Sequence, residues 1–431
     1  MTRQDSTPTP AAAPRSPAGT PRIGVIGDGQ LARMMAPSAV ELGIELHLLA
    51  GSADSSAAQV IPHTTLGDYT AVEDVTAFAA GVDVVTFDHE HVPTEVLAAL
   101  AEAGVPMHPS PAALIYAQDK LAMRRAAEEL GLSNPRWAEV HSVADLLDFG
   151  TESGWPVVLK TPRGGYDGKG VRMIDSADQA ADAQDWFDRA AETPTGLLAE
   201  QKVPYTRELS AQVARSAAGE TVSYPVVEST QTDGVCDEVI APAPFTSEDH
   251  LQRAERIART IAEKLQVTGM LAVELFEISE DAADLDAGIA PGIYINELAM
   301  RPHNSGHWTM DGSITSQFEQ HLRAVLGLPL GATEVKGGAG GFTVMKNLLG
   351  SSAPGERSLH SSFAAAMRRS QGSKIHLYGK EARPGRKIGH INILTQTQST
   401  QETWEARRAR LQRVRRAAAD VAEIIVEGPA Q

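Results

Sequence analysis

The chain has 431 residues and carries 38 Lys and Arg against 55 Asp and Glu, a formal net charge of −17. Such a length exceeds one ordinary domain of ~100–200 residues, and an apolar share of 42% with 22% charge belongs to a core-forming globular protein of two or three domains. The acidity repels phosphate backbones and anionic headgroups, which argues against a nucleic-acid polymer or a membrane surface as partner, and no run reaches the ~20 apolar residues of a membrane span.

Residues 1–20 scatter Pro, Ala, Ser and Thr without the apolar core of a secretory signal and read as a disordered leader. Arg22–Ile26 is a short strand, Gly27-Asp28-Gly29-Gln30 a turn, and Leu31 opens a helical pattern, together a first βα unit. Further strands are predicted at Ile44–Leu49 and, as the third, Val82–Phe87. Alternating strands and helices imply a parallel sheet with its ligand crevice at the strand C-termini, ending near Pro109-Ser110-Pro111. A helical stretch from Ala112 to Leu132 is broken by Asn134-Pro135. Trp155–Lys160, the glycine-rich Arg163–Gly170 and Val171–Ile174 then form a hairpin, not a P-loop. Strands follow at Leu197–Gln201, Leu209–Ala214 and Ser223–Val227, then a helix over His250–Leu265. The strand pair Gly269–Phe276 and Ile293–Glu297 is joined by an acidic loop. Ser351–Ser373 has the character of an insertion. The terminal helix, about Thr403–Ile425, sets Leu411, Val414, Ala418 and Val421 on one face and places its arginines on a solvated one. The single cysteine, Cys236, lies in a turn-like stretch; it cannot form an internal disulfide, which fits a reducing compartment and a cytoplasmic address.

Gly27-x-Gly29-x-x-Ala32 is a weak dinucleotide fingerprint, and no acidic residue follows the next strand at Leu49-Ala50-Gly51, so NAD loses ground. Bare amides at this helix N-terminus would instead face a substrate phosphate or ribose. The second glycine segment is sharper. Lys160 ends a strand beside a hairpin holding Gly165, Tyr166, Asp167, Gly168, Lys169, Gly170 and Val171, and lysines with flexible backbone amides suit the phosphates of ATP under a mobile lid. Glu274 and Glu297, one on each of two adjacent strands, suit Mg2+, which prefers hard oxygen donors and bridges phosphates. Glu277 is an odd number of positions from Glu274 and points to the other face. The loop Leu298–Thr309 packs Arg301, His303, Asn304, His307 and Trp308 together, a substrate site rather than a zinc site. Lys380, Arg383, Arg386 and Lys387 surround a Pro-Gly turn, a phosphate clamp in an acidic chain.

Four motifs together, Gly-Asp-Gly-Gln-Leu-Ala-Arg-Met at 27–34, Gly-Gly-Tyr-Asp-Gly-Lys-Gly at 164–170, Asn-Glu-Leu-Ala-Met-Arg-Pro-His-Asn-Ser-Gly-His-Trp-Thr at 296–309 and Arg-Pro-Gly-Arg-Lys-Ile-Gly-His at 383–390, resemble the N5-carboxyaminoimidazole ribonucleotide synthase family of the ATP-grasp superfamily. The resemblance runs from Arg22 to Ile393. It implies an α/β and α+β ATP-grasp architecture: a leader over 1–20, a Rossmann-like domain over 21–115, a middle subdomain with the lid over 116–195, a C-terminal ATP-grasp subdomain over 196–345, and a β-rich region with the terminal helix over 346–431. It implies that Lys120 and Lys160 contact ATP phosphates under the Gly165–Val171 lid, that Glu200, Gln201, Lys202 and Val203 form the adenine hinge, and that Glu208 holds the ribose. Glu274 and Glu297 would hold Mg2+ beside Asn296. Asp167, Arg301 and His303 would orient the reacting groups. Gly29, Gln30, Leu31, Glu90, Asn304, Lys380, Arg386 and Lys387 would bind 5-aminoimidazole ribonucleotide. Where the family often has Glu-Phe-Glu-Asn-Val, this chain has Asp88-His89-Glu90-His91-Val92, so only Glu90 and Val92 carry over. The implied reaction uses ATP and bicarbonate to form carboxyphosphate, which carboxylates the substrate amine, in a homodimeric purine-biosynthetic ligase. The rivals are another ATP-grasp carboxylate-amine ligase, a formate-dependent transformylase, biotin carboxylation and a catalytically silent nucleotide-binding protein; the histidine-rich loop argues against the transformylase and biotin carboxylation, and the intact Lys160, Asp167, Glu274 and Glu297 against the last.

Overall fold

The structure is a computed structural model that describes residues 17–165, 170–191, 195–338, 340–351, 358–395 and 402–428. The lid residues Tyr166, Asp167, Gly168 and Lys169 lie outside the described residues. Among the described residues, seventeen strands form three sheets. The first contains β1 (Arg22–Ile26), β2 (Glu45–Ala50), β3 (His63–Leu66) and β4 (Val84–Phe87), all parallel in the order β3-β2-β1-β4. Ile23, Val25 and Ile26 are fully buried, as expected of a central strand covered on both faces. Gly24 is required there, because a Cβ would come within 2.9 Å of Val82 and 3.0 Å of Phe78. The polar edge strand β3, His-Thr-Thr-Leu, gave no apolar signal, so Val84–Phe87 is the fourth strand and not the third.

The middle sheet contains β5 (Trp137–Val140), β6 (Val157–Lys160), β7 (Val171–Ile174) and β8 (Leu197–Gln201), antiparallel in the order β5-β8-β6-β7. The hairpin expected around the glycine-rich segment is present, with Lys160 opposite Val171. All five residues of β8 are buried between two neighbours. A border at 195/196 would cut this central strand from its own sheet, so the sheet boundary falls after Gln201.

The third sheet is the largest. It contains β9 (Arg207–Arg215), β10 (Thr221–Ser223), β11 (Val227–Thr232), β12 (Val235–Ala241), β13 (Gly269–Ile278), β14 (Gly292–Ala299), β15 (Phe342–Leu349), β16 (Ser373–Leu377) and β17 (Lys387–Thr395). The order is β14-β13-β9-β11-β12-β15-β17-β16, with β10 on β9. The strands of the C-terminal region therefore continue the ATP-grasp sheet, and the expected border at 345/346 falls inside β15. The strand expected over Ser223–Val227 is split, since Pro225 lacks the N–H a ladder needs. Cys236 lies on β12, not in a turn, and burial pushes its thiol up to about 12, which leaves no thiolate for chemistry.

One apolar core joins the first and third sheets through Ile26, Phe87, Leu271, Val273 and the helix Glu248–Lys264. Leu411, Ala418, Val421 and Ile425 of the terminal helix Trp404–Val426 cover β15 and β17. The helix is not uniformly solvated on its arginine face. Arg410 is buried against Glu402, Thr395 Oγ1 (2.6 Å) and Gly340 O (2.7 Å), and Arg415 Nε lies 2.7 Å from Glu238. Among the described residues no helix is long and apolar enough to cross a membrane.

Candidate active site

The paired carboxylates are register partners, Glu274 on β13 directly opposite Glu297 on β14. Asn296 is the extra residue of a bulge beside them, where pairing steps from Glu274–Glu297 to Leu275–Ile295. Like charges directly opposite on a sheet repel. Burial, followed by Glu297 and Glu208, pushes the Glu274 carboxyl up to about 8. A divalent cation with oxygen preference fits such a pair, because it would relieve the repulsion that the fold otherwise carries. Lys120 Nζ lies 2.8 Å from Glu297 Oε1. Lys120 is the first residue of the helix Lys120–Glu129, whose first amides, Leu121 and Ala122, donate to Asp119 Oδ1 at 3.0 and 3.1 Å. Glu277 points away, as alternation requires, into an ion pair with Arg207 and a hydrogen-bond contact with His250 Nδ1 (2.6 Å).

On the nucleotide side, Lys160 Nζ is 2.6 Å from Glu200 Oε2 and Arg124 Nε is 2.6 Å from Glu200 Oε1. Burial alone would raise the Glu200 carboxyl, but Arg124 and Lys160 outweigh it and hold it down at about 2. Arg124, fully buried, also donates to Ile295 O at 2.8 Å, Asn296 O at 2.9 Å and Asn134 Oδ1 at 3.1 Å. It thus ties the middle sheet to β14. Sequence reasoning missed it; the only signal was its place three residues from Leu121 and Ala127 on the apolar face of an amphipathic helix. In the hinge segment the side chains of Glu200 and Gln201 are engaged in the fold, Gln201 Nε2 donating to Ser153 O (2.8 Å) and Ala287 O (3.0 Å), and Val203 packs with Ile278 and Ile289. These three side chains are thus turned into the fold, whereas Lys202 is exposed. Glu208, raised chiefly by burial, is hydrogen-bonded by Tyr205 and Gln231.

The loop after β14 divides. Arg301 Nε donates to Glu90 Oε2 at 2.7 Å, while Glu90 Oε1 is buried without a partner among the described residues. Gln118 Nε2 holds the Glu90 segment through Glu90 O (2.9 Å) and Val92 O (2.8 Å). His303 Nε2 lies 3.6 Å from Glu274 Oε1 and its Nδ1 2.9 Å from Ser305 Oγ. Burial, then Arg301 and Lys387, pushes the His303 imidazole down to about 3, so it is neutral at pH 7. Asn304, His307 and Trp308 turn inward. Both polar atoms of the buried Asn304 side chain bond Asn347 (3.1 and 2.8 Å), His307 Nδ1 sits 2.9 Å from Gln317 Nε2, and Trp308 is core. The substrate contact expected of Asn304 is therefore corrected to an interior amide pair.

At the first βα turn the amides of Gly29 and Ala32 (3.1 Å) donate to Asp88, so they are not bare. A Cβ on Gly29 would collide with that carboxylate. Leu31 is 5% exposed and belongs to the core rather than a ligand surface. Gln30 Oε1 accepts from Lys380 Nζ, which joins the first turn to the basic turn 350 residues later. Ser56 Oγ donates to Tyr378 O (2.6 Å) and Gln59 Nε2 to Gly379 O (2.8 Å), two pins that no sequence signal disclosed. Lys387 acts electrostatically on Glu274 and His303, whereas Arg386 is exposed, with Nη1 3.3 Å from Glu381 O. Polar side chains thus line the site from Lys160 and Glu200, past Lys120, Glu297 and Glu274, to the neutral His303, Arg301 and Glu90.

The sequence matches three family descriptions: the ribonucleotide synthetase preATP-grasp domain over residues 21–118, the ATP-grasp domain over 125–318 and the phosphoribosylaminoimidazole carboxylase C-terminal domain over 343–403. An N5-carboxyaminoimidazole ribonucleotide synthase of Corynebacterium ammoniagenes is 49% identical over 375 residues, covering 87% of this chain and 88% of that protein. The crystal structure of the Thermus thermophilus synthetase aligns with a TM-score of 0.77 at 35% identity, covering 92% and 98% of the two chains. The Aspergillus clavatus synthase in complex with ADP and 5-aminoimidazole ribonucleotide aligns with a TM-score of 0.78 at 30% identity, covering 94% and 99%.

Proposed function

The chain belongs to the N5-carboxyaminoimidazole ribonucleotide synthase family of ATP-grasp ligases, and from that premise we propose how its residues divide the work. It is an ATP-dependent carbon–nitrogen ligase of purine biosynthesis acting on 5-aminoimidazole ribonucleotide. The observation that carries the assignment of roles is the register pair Glu274–Glu297, flanked by Lys120 on one side and by His303, Arg301 and Glu90 on the other.

Lys120 and Lys160 bind the ATP phosphates, exchanging their carboxylate partners for phosphate oxygens. The backbone from Glu200 to Val203, with Lys202, lines the adenine, and Glu208 holds the ribose. Glu274 and Glu297 hold Mg2+, with Asn296 beside them; when bound, the ion supplies charge stabilisation for phosphoryl transfer. Bicarbonate attacks the γ-phosphate to give carboxyphosphate, releasing ADP. Arg301 holds the carboxyl oxygens through charge-assisted hydrogen bonds. His303, neutral, orients the same group without adding charge. Asp167, outside the described residues, would align the attacking amine, with Gly165 to Val171 serving as the lid. Gln30, Glu90, Lys380, Arg386 and Lys387 bind the ribonucleotide, the last three at its phosphate. The subdivision follows the sheets, with the Rossmann-like domain up to about residue 115 and one continuous sheet from β9 to β17. We further propose a cytoplasmic homodimer.

ADP release is to be measured with and without 5-aminoimidazole ribonucleotide and bicarbonate. Stimulation requiring both supports the reading; a rate indifferent to both would sink it.

A further inference from the structure

The first sheet carries a second cluster of metal-ligating side chains, away from the end that faces the substrate. Glu45 and His47 are two residues apart on β2 and so share one face of the sheet, and His63 on β3 is the register partner of His47. His47 Nε2 lies 2.6 Å from Glu45 Oε1, and His63 Nε2 lies 3.7 Å from Glu45 Oε2. The two imidazole rings stack with centroids 4.9 Å apart and an interplanar angle of 16°. One donor atom from each of the three residues can be chosen so that all lie within 4.8 Å of one another. The histidine side chains keep 23% and 20% of their surface exposed and the glutamate 11%, so the group is sheltered but open to an ion from solvent.

This position is distinct from the catalytic site. In a parallel sheet the substrate crevice lies at the strand C-termini, where Gly51 N donates to Asp28 Oδ2 at 3.0 Å beside the first glycine turn. His47 precedes the end of β2 by three residues and Glu45 by five, roughly 10–17 Å back along the strand at ~3.3 Å per residue. None of the three belongs to the machinery assigned above.

The donor set is chemically selective. Two imidazole nitrogens and a carboxylate suit Zn2+ and its neighbours among the late first-row divalent ions, not Mg2+ or Ca2+, which prefer all-oxygen shells. A tetrahedral Zn2+ with ligands at ~2.0–2.1 Å needs donors ~3.3 Å apart, and the three donor atoms, all within 4.8 Å of one another, bracket that spacing. Three protein ligands leave a fourth position for water. The ion would link the polar edge strand β3, held in the sheet only through β2, to its neighbour.

We propose that Glu45, His47 and His63 form a binding site for a late first-row divalent cation of the Zn2+ class, which clips the edge strand β3 to β2 and stabilises the N-terminal domain without entering catalysis.

The test uses the full chain, stripped with a chelator and held in excess Mg2+, with Zn2+ binding followed by calorimetry and Co2+ by its visible absorption. Wild type is compared with the double variant His47→Gln/His63→Gln, with Glu45→Gln, and with Glu297→Gln as a control for ions taken by the catalytic carboxylates. Expected are one equivalent of Zn2+ that Glu297→Gln retains and the double variant binds at least ~100-fold more weakly, and a Zn2+-dependent rise in Tm in wild type that the double variant lacks. Glu45→Gln, which keeps both rings and so carries the test if the double variant misfolds, weakens binding at least ~10-fold. Substrate-stimulated ADP release is unchanged in both variants when they are folded. Absence of Zn2+ binding in wild type, or binding that follows Glu297 instead of the histidines, overturns the proposal.

Discussion

Replacing Arg124 by Met asks whether one buried guanidinium holds the nucleotide half of the site together. The substitution keeps an unbranched apolar stem but removes the bonds to Glu200 (2.6 Å), Ile295 O (2.8 Å), Asn296 O (2.9 Å) and Asn134 (3.1 Å). Taking one partner from a buried ion pair costs about 3–5 kcal/mol when the remaining charge is stranded; here Lys160 stays on Glu200 Oε2, so the lower end of that range is expected. Titration gives a figure for the whole cluster: lowering the Glu200 carboxyl from 4.5 to about 2 corresponds to about 3 kcal/mol at ~1.4 kcal/mol per tenfold change, shared between Arg124 and Lys160. The two agree in order of magnitude. Because the folded carboxyl lies below its unfolded value, this contribution is fully present above about pH 5 and is lost as pH falls through about 2. Urea and thermal unfolding of wild type and Arg124→Met, from pH 7 down to pH 2, make the comparison. Other carboxylates titrate in the same range, so the difference between the profiles is what counts. The variant is expected to be less stable by about 3 kcal/mol at pH 7, with the gap narrowing below pH 5. A loss under about 1 kcal/mol with a wild-type acid profile would refute the reasoning, since such a value belongs to an exposed pair.

Three further outcomes are expected. Glu297→Gln should nearly abolish turnover through loss of a metal carboxylate, and near-normal kcat at saturating Mg2+ would remove that role. Arg386→Ala, at an exposed turn, should raise the KM for the ribonucleotide more than that for ATP, and the reverse ratio would move Arg386 to the nucleotide site. Asn304→Ala should cost about 1–3 kcal/mol of stability by stranding the buried Asn347 amide, with the ribonucleotide KM within about twofold of wild type; a large KM rise in a stable variant would return Asn304 to the substrate.

What could be read from the sequence was what is local or periodic. The Lys160 hairpin, the pairing of Glu274 with Glu297 and the outward turn of Glu277 all follow from strand alternation and glycine placement. What could not be read was set from far along the chain. Asp88 reaches back 59 residues to cap the helix that opens at Gln30, so amides that look bare in sequence are satisfied. The side-chain amide of Gln317 bonds both His303 N (2.9 Å) and His303 O (2.8 Å) and meets His307, which decides that His307 faces inward. Arg124 is one of three cations on its helix, beside Lys120 and Arg125, a pattern that describes a solvated residue until Glu200 is placed beside it. Strands β15 to β17 carry no local mark of which sheet they join, since strand order is a long-range property.

The acidity that excluded a polymeric nucleic acid also explains how the site is kept ready for small anions. Lys120 rests on Glu297, Lys160 on Glu200 and Arg301 on Glu90, while Lys380 rests on Gln30 within the field of Asp88. Lys120, Lys160 and Arg301 are thereby neutralised from within, at short range, in a protein whose outer charge repels polyanions. Binding of ATP or a ribonucleotide phosphate is then an exchange of partners rather than the filling of a bare positive patch. A ligand succeeds only if it offers oxygens to several of these cations at once and is small enough to reach them, because contact with one alone gives up a carboxylate for no net gain. Where Lys120 leaves Glu297, the opposed pair with Glu274 is left needing a cation, so phosphate capture by the lysine and divalent-ion capture by the carboxylates favour one another.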